Sequence, residues 1–441
     1  MNAHTLRMLL RPTRGQGAVV ALPVVAFTVV TALVLTVIGG AQSFWRWSDD
    51  LAPTYQALAA IALVLLIVPL TSLGGAAARL SARRRDERLS TLRLLGVTPQ
   101  GVAAATVIES VLLAAAGAAG GVALSLLLSP LVGMIPFRGA SLGWAAVTLP
   151  PLSALAVVAA VIALAALSAM VGLRRVVISP LGVRTRATAG SSVHWTRAII
   201  AVLVLGAAFG VITVFPRVAD LVTTIVVVAL AFAGALGVLN LLGPWVLKVG
   251  ASMQLRRAEK PERLLAARIV LDSPKAAWRQ VGGVAMASFM AVFAGTGVSL
   301  MNVLGGPEAT SDEAALVADM RTGLIITLVA SFLMVAASVG VNQASSILDE
   351  RPLHRSLHHL GMPKETVDRA RRRAIMSPLL ITAIGSAVCA GVLMLPLISV
   401  ALITAPLSLL TIVAVLVAGI GLVWVSARAT GPLLAPAFAA A

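Results

Sequence analysis

Apolar positions along this chain run together in long blocks separated by short polar segments. There is neither the two-residue alternation of half-buried strands nor the single apolar stripe of a helix on a soluble surface. A helix rises ~1.5 Å per residue and the hydrocarbon core of a bilayer is ~30 Å thick, so about 20 apolar residues suffice to cross it. On that criterion the pattern predicts ten spans, near 17–42, 54–78, 103–129, 150–173, 196–215, 221–247, 281–304, 322–346, 375–398 and 407–427. The expected fold class is an all-α integral membrane protein. The fifth and sixth spans are the least separated, with only Pro216–Asp220 between them. The first block reads as a span and not as a removable leader: it is too long for an h-region and no small-residue cleavage site follows it.

Composition sharpens this picture. Of the 441 residues 59% are hydrophobic and 12% charged, and the mean hydropathy is +0.99. Soluble domains carry roughly 25% charged residues, so this chain lacks the charge to remain in water. Disorder fails for the opposite reason, because the apolar surface is too large to leave solvated. The single cysteine, Cys389, lies inside an apolar run, which excludes an intrachain disulfide and reads as a small buried residue.

The net charge of +17 raises a nucleic-acid reading, which the placement of the charge removes. Ten spans put both termini on one side. Of 34 Lys and Arg, only Arg46, Arg138, Arg217 and Arg321 fall in segments on the opposite side. That asymmetry predicts cytoplasmic termini. The basic layer then matches anionic lipid headgroups. No basic segment is interleaved with aromatics, and Tyr55 is the only tyrosine.

The chain also repeats itself, at an offset of about 261–265 residues. Spans one to four form the first copy and spans seven to ten the second. Each copy opens with a short basic amphipathic stretch, Leu6–Leu10 before Pro12 and Ala267–Leu271 before Pro274. Each then crosses, returns, and enters a charged segment with a shared ending, at 79–99 and 345–363. Aligning Gly96 with Gly361 places Leu92 on Leu357 and Leu95 on Leu360. Leu89, Leu92 and Leu95 recur every three residues and form one apolar stripe on a helix that continues the second span. Glycine then ends that helix at a C-cap. The physical expectation is a stalk with an apolar tip, made once per copy. The copies have the same span parity, so they are parallel repeats about an axis along the membrane normal. Spans five and six have no counterpart. The expected organisation is a first repeat over 1–190, a linking helix pair over 191–250 and a second repeat over 251–441.

Arginine-rich charge, Glu87, Leu-x-x-Leu-Gly, then Glu109 and the small-residue span with Gly117, Gly120 and Gly121 together resemble the FtsX-like permease domain. The segment Arg174-Arg175 to Ser179-Pro180-Leu181 resembles the basic, proline-containing end of that domain. The duplicated layout with an extra helix pair is similar to the permeases of bacitracin-type antimicrobial-peptide exporters. In the second copy the motif is degenerate: Pro352 stands at the Glu87 position and Ala374 at the Glu109 position. The large extracellular domains of those relatives have no counterpart here, since the exterior segments are only about 43–53 and 305–321.

The resemblance implies the membrane subunit of a mechanotransmission-type ABC system in a bacterial cell membrane. No G-x-x-x-x-G-K-[ST] occurs, so the chain is expected not to be an enzyme and to bind no cofactor itself. ATP and Mg would be bound by a separate ATPase subunit, in two copies, docked on Glu87, Leu92, Leu95 and Gly96 of one stalk and Leu357, Leu360 and Gly361 of the other. The implied partners are that ATPase, membrane lipids and a hydrophobic or amphiphilic substrate such as an antimicrobial peptide or lipid-like compound, with no nucleic acid. The alternative is a non-transporting member that controls an extracellular cell-wall hydrolase or a sensor kinase.

Three further features carry weaker chemistry. Glu109 is the sole acidic residue inside an expected span, near one end, where an ion pair outweighs a proton relay. His354, His358 and His359 lie close together, yet no cysteine is near to complete a zinc set, and a solvated helix face is the simpler reading. Gly39, Gly40, Pro69, Gly74, Gly75, Gly295 and Gly297 suit close helix contact or kinking in spans one, two and seven.

Overall fold

The computed structural model describes residues 17–83, 99–178, 199, 203–210, 221–304, 311–349, 356, 359–404 and 406–430. It is about 90% helical. The chain divides into two compact units, Met1–Ala189 with Val341–Ser345, and Gly190–Gly340 with Ser346–Ala441.

The first unit holds α1 (Gly17–Gln42), a 3-10 turn at Ser43–Arg46, α2 (Ala52–Arg83) and α3 (Pro99–Gly133). A two-residue antiparallel ribbon follows, β1 (Pro136–Phe137) with β2 (Ala140–Ser141), then the short α4 (Trp144–Val147) and α5 (Pro151–Ile178). Small residues decide how closely its helices approach. A methyl group added at Gly117 would meet the Val24 carbonyl oxygen at 2.8 Å and the Thr28 nitrogen at 3.2 Å, and one at Gly121 the Thr28 oxygen at 2.9 Å. The backbones of α1 and α3 are thus in near contact, which only glycine permits, as in small-xxx-small packing generally. A methyl group added at Gly74 of α2 would meet Leu164 of α5 at 3.3 Å. Thr28 donates its hydroxyl to the Val24 carbonyl at 2.9 Å, so its polar atom is satisfied within α1.

The second unit holds α6 (Leu221–Arg256), α7 (Pro261–Asp272), α8 (Pro274–Leu304), α9 (Ser311–Asp349, apart from Val341–Ser345), α10 (Lys364–Leu393), α11 (Leu395–Thr404) and α12 (Pro406–Ala429). α8 is the most enclosed of these. It packs along α10, and Phe289 and Phe293 of α8 meet Phe232 of α6 at ring-centroid distances of 5.6 and 4.9 Å. Trp278, near the start of α8, donates its indole N–H to Asn240 Oδ1 at 2.9 Å and lies against Gly243 of α6. α9 packs on α12, where Phe332 lies against Gly419 and Ser426 donates to the Ala336 carbonyl at 2.6 Å.

The same helix order is used in both units. The first transmembrane helix of each copy packs on the third, and the second on the fourth. The buried face of α3 is Ser110, Ala114, Gly117, Ala118 and Gly121. That of α10 is Ile375, Leu379, Thr382, Ala383 and Ser386, each displaced by the spacing that carries Gly96 onto Gly361. Thr382 and Ser386 bond back to carbonyls of their own helix, which leaves them as small, satisfied surfaces.

Eight helices among the described residues are long and apolar enough to cross a membrane. A ninth is added if the bent pair Ala52–Ile67 and Pro69–Ala77 is one span. Large apolar side chains such as Leu127, Leu131, Leu152, Leu155, Val413 and Val417 point outward, exposed. Such an exterior exceeds what a water-soluble surface carries and fits lipid contact. The chain is a multi-pass α-helical membrane protein. Of the expected fifth span, 196–215, only 199 and 203–210 are described, and these are helical. Helices outrun their apolar blocks: α9 begins at Ser311, well before the expected 322, and α8 at Pro274 instead of 281. The expected exterior segment 305–321 is therefore largely the first turns of α9.

Candidate functional site

Of the expected docking residues, Glu87, Leu92, Leu95, Gly96 and Leu357 lie outside the described residues. Leu360 and Gly361 lie within them. The Leu360 N–H donates to the Ser356 carbonyl at 3.1 Å, the last helical bond before the turn. Gly361 follows with φ +81°, the left-handed conformation that terminates helices. A methyl group at Gly361 would meet open space, so the need for glycine there is conformational and not steric crowding. Leu360 is 82% exposed, an apolar side chain presented at a helix end. Pro363 then opens α10.

Glu109 is half-buried on α3 beside the buried Ser110. Among the described residues no cation pairs with it; the stalk arginines 84–93 lie outside them. Pro69 is buried where α2 bends by 43°. A proline lacks the N–H of the helical ladder and crowds the carbonyl four residues earlier, which accounts for the bend. Gly295 is a point of close approach: an added methyl would strike Ile412 of α12. Gly297 is not, since an added methyl there meets nothing within 4 Å. Gly39 lies against the Val147 carbonyl, whereas Gly40 faces open space. His354 and His358 lie outside the described residues and His359 is exposed. Among the described residues no group of three or more His, Cys, Asp or Glu could hold a metal. Cys389 is partly buried against the phenylalanine core of the second unit.

Two polar constellations went unnoticed in the sequence. The first closes one end of the first unit. The Arg138 guanidinium sits over the rings of Trp47 and Tyr55, at 4.1 and 4.5 Å, and pairs with Asp49 at 2.9 Å. Phe44 stacks on Tyr55 and meets Phe137 edge-on at 5.0 Å. Arg138 has φ +53°, the ribbon's tight turn being completed by Gly139 at φ +74°. The Asp49 carboxyl is held below its ordinary pKa of 3.8, first by the hydrogen bond from Arg138, and the Arg138 guanidinium is correspondingly raised. The sequence signal was the density of aromatics over 44–55, typical of the membrane boundary.

The second lies in the second unit, where α7, the start of α10 and the end of α12 meet. Arg371 is buried and donates to Thr430 Oγ1 at 2.9 Å and to Asp368 at 3.0 Å. Arg372 also pairs with Asp368, and Arg373 with the buried Glu262 of α7 at 3.5 Å. The signal here was the run of three arginines immediately before an apolar block.

A narrow cleft between α8, α9 and α12 is lined by Gly295, Leu324, Leu328 and Ile412, with Arg321 at one end bonded to Thr411 at 3.2 Å. Compared with models of known protein families and with curated proteins, the chain matches none.

Proposed function

We propose that this protein is the permease subunit of an ABC exporter, with both termini cytoplasmic. A separate ATPase would dock on the two stalk tips and couple ATP hydrolysis to export or membrane extraction of a hydrophobic or amphiphilic substrate. The observation that supports this most is the tip of the second stalk. There an exposed Leu360 precedes Gly361 in the left-handed conformation, in register with the fuller motif ending at Gly96. A helix that ends by presenting an apolar side chain is suited to a socket on a partner. The shared burial register of α3 and α10 adds support for two equivalent four-helix bundles, the arrangement in which a pair of motors acts on both halves. Short segments between helices suit a substrate taken from the bilayer, since no large domain is needed to capture it from water.

An ATPase-dead partner is the test. Loss of efflux or of resistance to membrane-active peptides is the expected result. Unchanged transport with altered cell separation would instead establish the mechanical signaller and remove the exporter reading.

A further inference from the structure

The charge around Arg371, Arg372 and Arg373 does not balance. Among the described residues three guanidinium groups face two carboxylates, Asp368 and Glu262. Among the described residues the Nε–H of Arg372 is buried with no hydrogen-bond partner, and Nη1 of Arg373 meets Glu262 at 3.5 Å as an ion pair without a hydrogen bond; both side chains still reach the surface, 29% and 42% exposed. With one guanidinium in surplus and the Arg372 and Arg373 side chains reaching the surface, their remaining donors are open to an external anion.

Depth identifies the anion. Residues 374–393, which follow the triplet on α10, contain no charged side chain. Twenty helical residues span ~30 Å, the thickness of the hydrocarbon core. The triplet therefore sits where that core ends, at the level of phospholipid phosphates. α12 gives an independent measure of the same level. Arg371 bonds Thr430, and two residues earlier Arg428 lies over the half-exposed Trp424 at 5.1 Å. Tryptophan and arginine at a helix end mark the headgroup region. α7 fits the same plane: it buries Glu262, Ala266, Ala267 and Val270 and exposes Arg263-Leu264 and Arg268-Ile269, a mixed basic and apolar face. Such a face suits a helix lying on a lipid surface.

We propose that the Arg371–Arg373 triplet, at the junction of α7, α10 and α12, binds the phosphate of an anionic phospholipid. The phosphate oxygens accept from Arg372 and Arg373, whose planar forks suit two oxygens of one tetrahedral group. Asp368 and Glu262 orient the arginines, and the acyl chains run along the outward face of α10, where Leu380, Ile384 and Val388 are exposed. The surplus of positive charge selects an anionic over a zwitterionic headgroup. A lipid bound there would tie the surface helix α7 to two membrane-spanning helices.

The experiment is lipid retention by the purified full-length chain, read by native mass spectrometry with phosphatidylglycerol and phosphatidylcholine supplied together. Wild type should retain phosphatidylglycerol preferentially. The double variant Arg372→Gln/Arg373→Gln should bind it about 30-fold more weakly, roughly fivefold per arginine lost near an anionic surface. The control Arg256→Gln/Arg257→Gln removes equal charge from the exposed end of α6 and should retain it as wild type does. Arg372→Lys/Arg373→Lys keeps the charge without the paired donors, and carries the test if the glutamine pair does not fold; its retention should fall several-fold. Equal retention by wild type and both arginine-pair variants overturns the proposal. Equal loss in the Arg256/Arg257 control reduces it to general surface charge. Displacement of the lipid by inorganic phosphate would assign the site to a soluble anion and overturn the lipid.

Discussion

At the residue scale, the ion pair between Asp49 and Arg138 is the polar contact whose pH dependence can be worked out. Asp49 titrates lower in the folded protein than its ordinary 3.8, because Arg138 donates to its charged form. A depressed carboxyl stabilises the fold above its unfolded pKa and ceases to do so as pH falls through the folded value. At neutral pH, Asp49→Asn should therefore lower the thermal midpoint of detergent-solubilised protein. That difference should close as pH drops below the carboxylate range. A gap that stays constant down to that range would mean the pair is not coupled to folding. Gly361 makes a different kind of prediction, since its requirement is its backbone angle. Gly361→Val places a β-branched residue in the left-handed region, at a cost of ~1–2 kcal/mol. The stalk tip should open, seen as faster hydrogen exchange of the Leu360 amide. Unchanged exchange would show that the turn does not depend on glycine.

At the scale of elements, the α1–α3 and α8–α10 pairs carry the packing. The glycines of α1 and α3 are not equivalent, and the distances separate them. Gly121→Val would drive side-chain atoms into the backbone of α1 at Thr28 and Ala32, where nothing can move aside. Overpacking typically costs 1–3 kcal/mol, and backbone contact puts this substitution at or above ~3 kcal/mol. Gly40→Ala, facing open space, should leave the midpoint unchanged. Thermal unfolding of the two variants side by side checks this, and equal melting points would contradict the close approach of α1 and α3.

These elements also show what could be read from the chain. The membrane helices were legible because the length of an apolar block is a local property set by bilayer thickness. Their polar extensions were not, because residues such as Ser311–Arg321 continue a helix for reasons unrelated to hydropathy. Gly361 was legible through its place after an apolar stripe. Gly295 and Gly297 were not distinguishable, since at ~100° per residue two positions apart face nearly opposite directions, and which one meets α12 is decided by packing. The Arg138 site joins residues 44–55 to residues 137–138, and the Glu262–Arg373 pair joins α7 to α10. Contacts made across such distances leave no local pattern to read.

At the scale of the whole molecule, an apolar chain with a basic layer carries no G-x-x-x-x-G-K-[ST] sequence. In the proposed exporter the energy arrives from a separate ATPase seated on the two stalk tips, at Leu92, Leu95 and Gly96 and at Leu357, Leu360 and Gly361. The direct measurement is ATP hydrolysis in the affinity-purified full-length chain from its own membranes, beside the variant Leu95→Asp/Leu360→Asp. Wild type should bring down a Walker-motif subunit with ATPase activity. The variant, recovered in equal amount and equally stable, should lose at least ~90% of that activity, as expected from burying a charge in place of an apolar anchor at each of two sockets. Hydrolysis that accompanies the variant undiminished, or no ATPase with the wild type, would contradict the account.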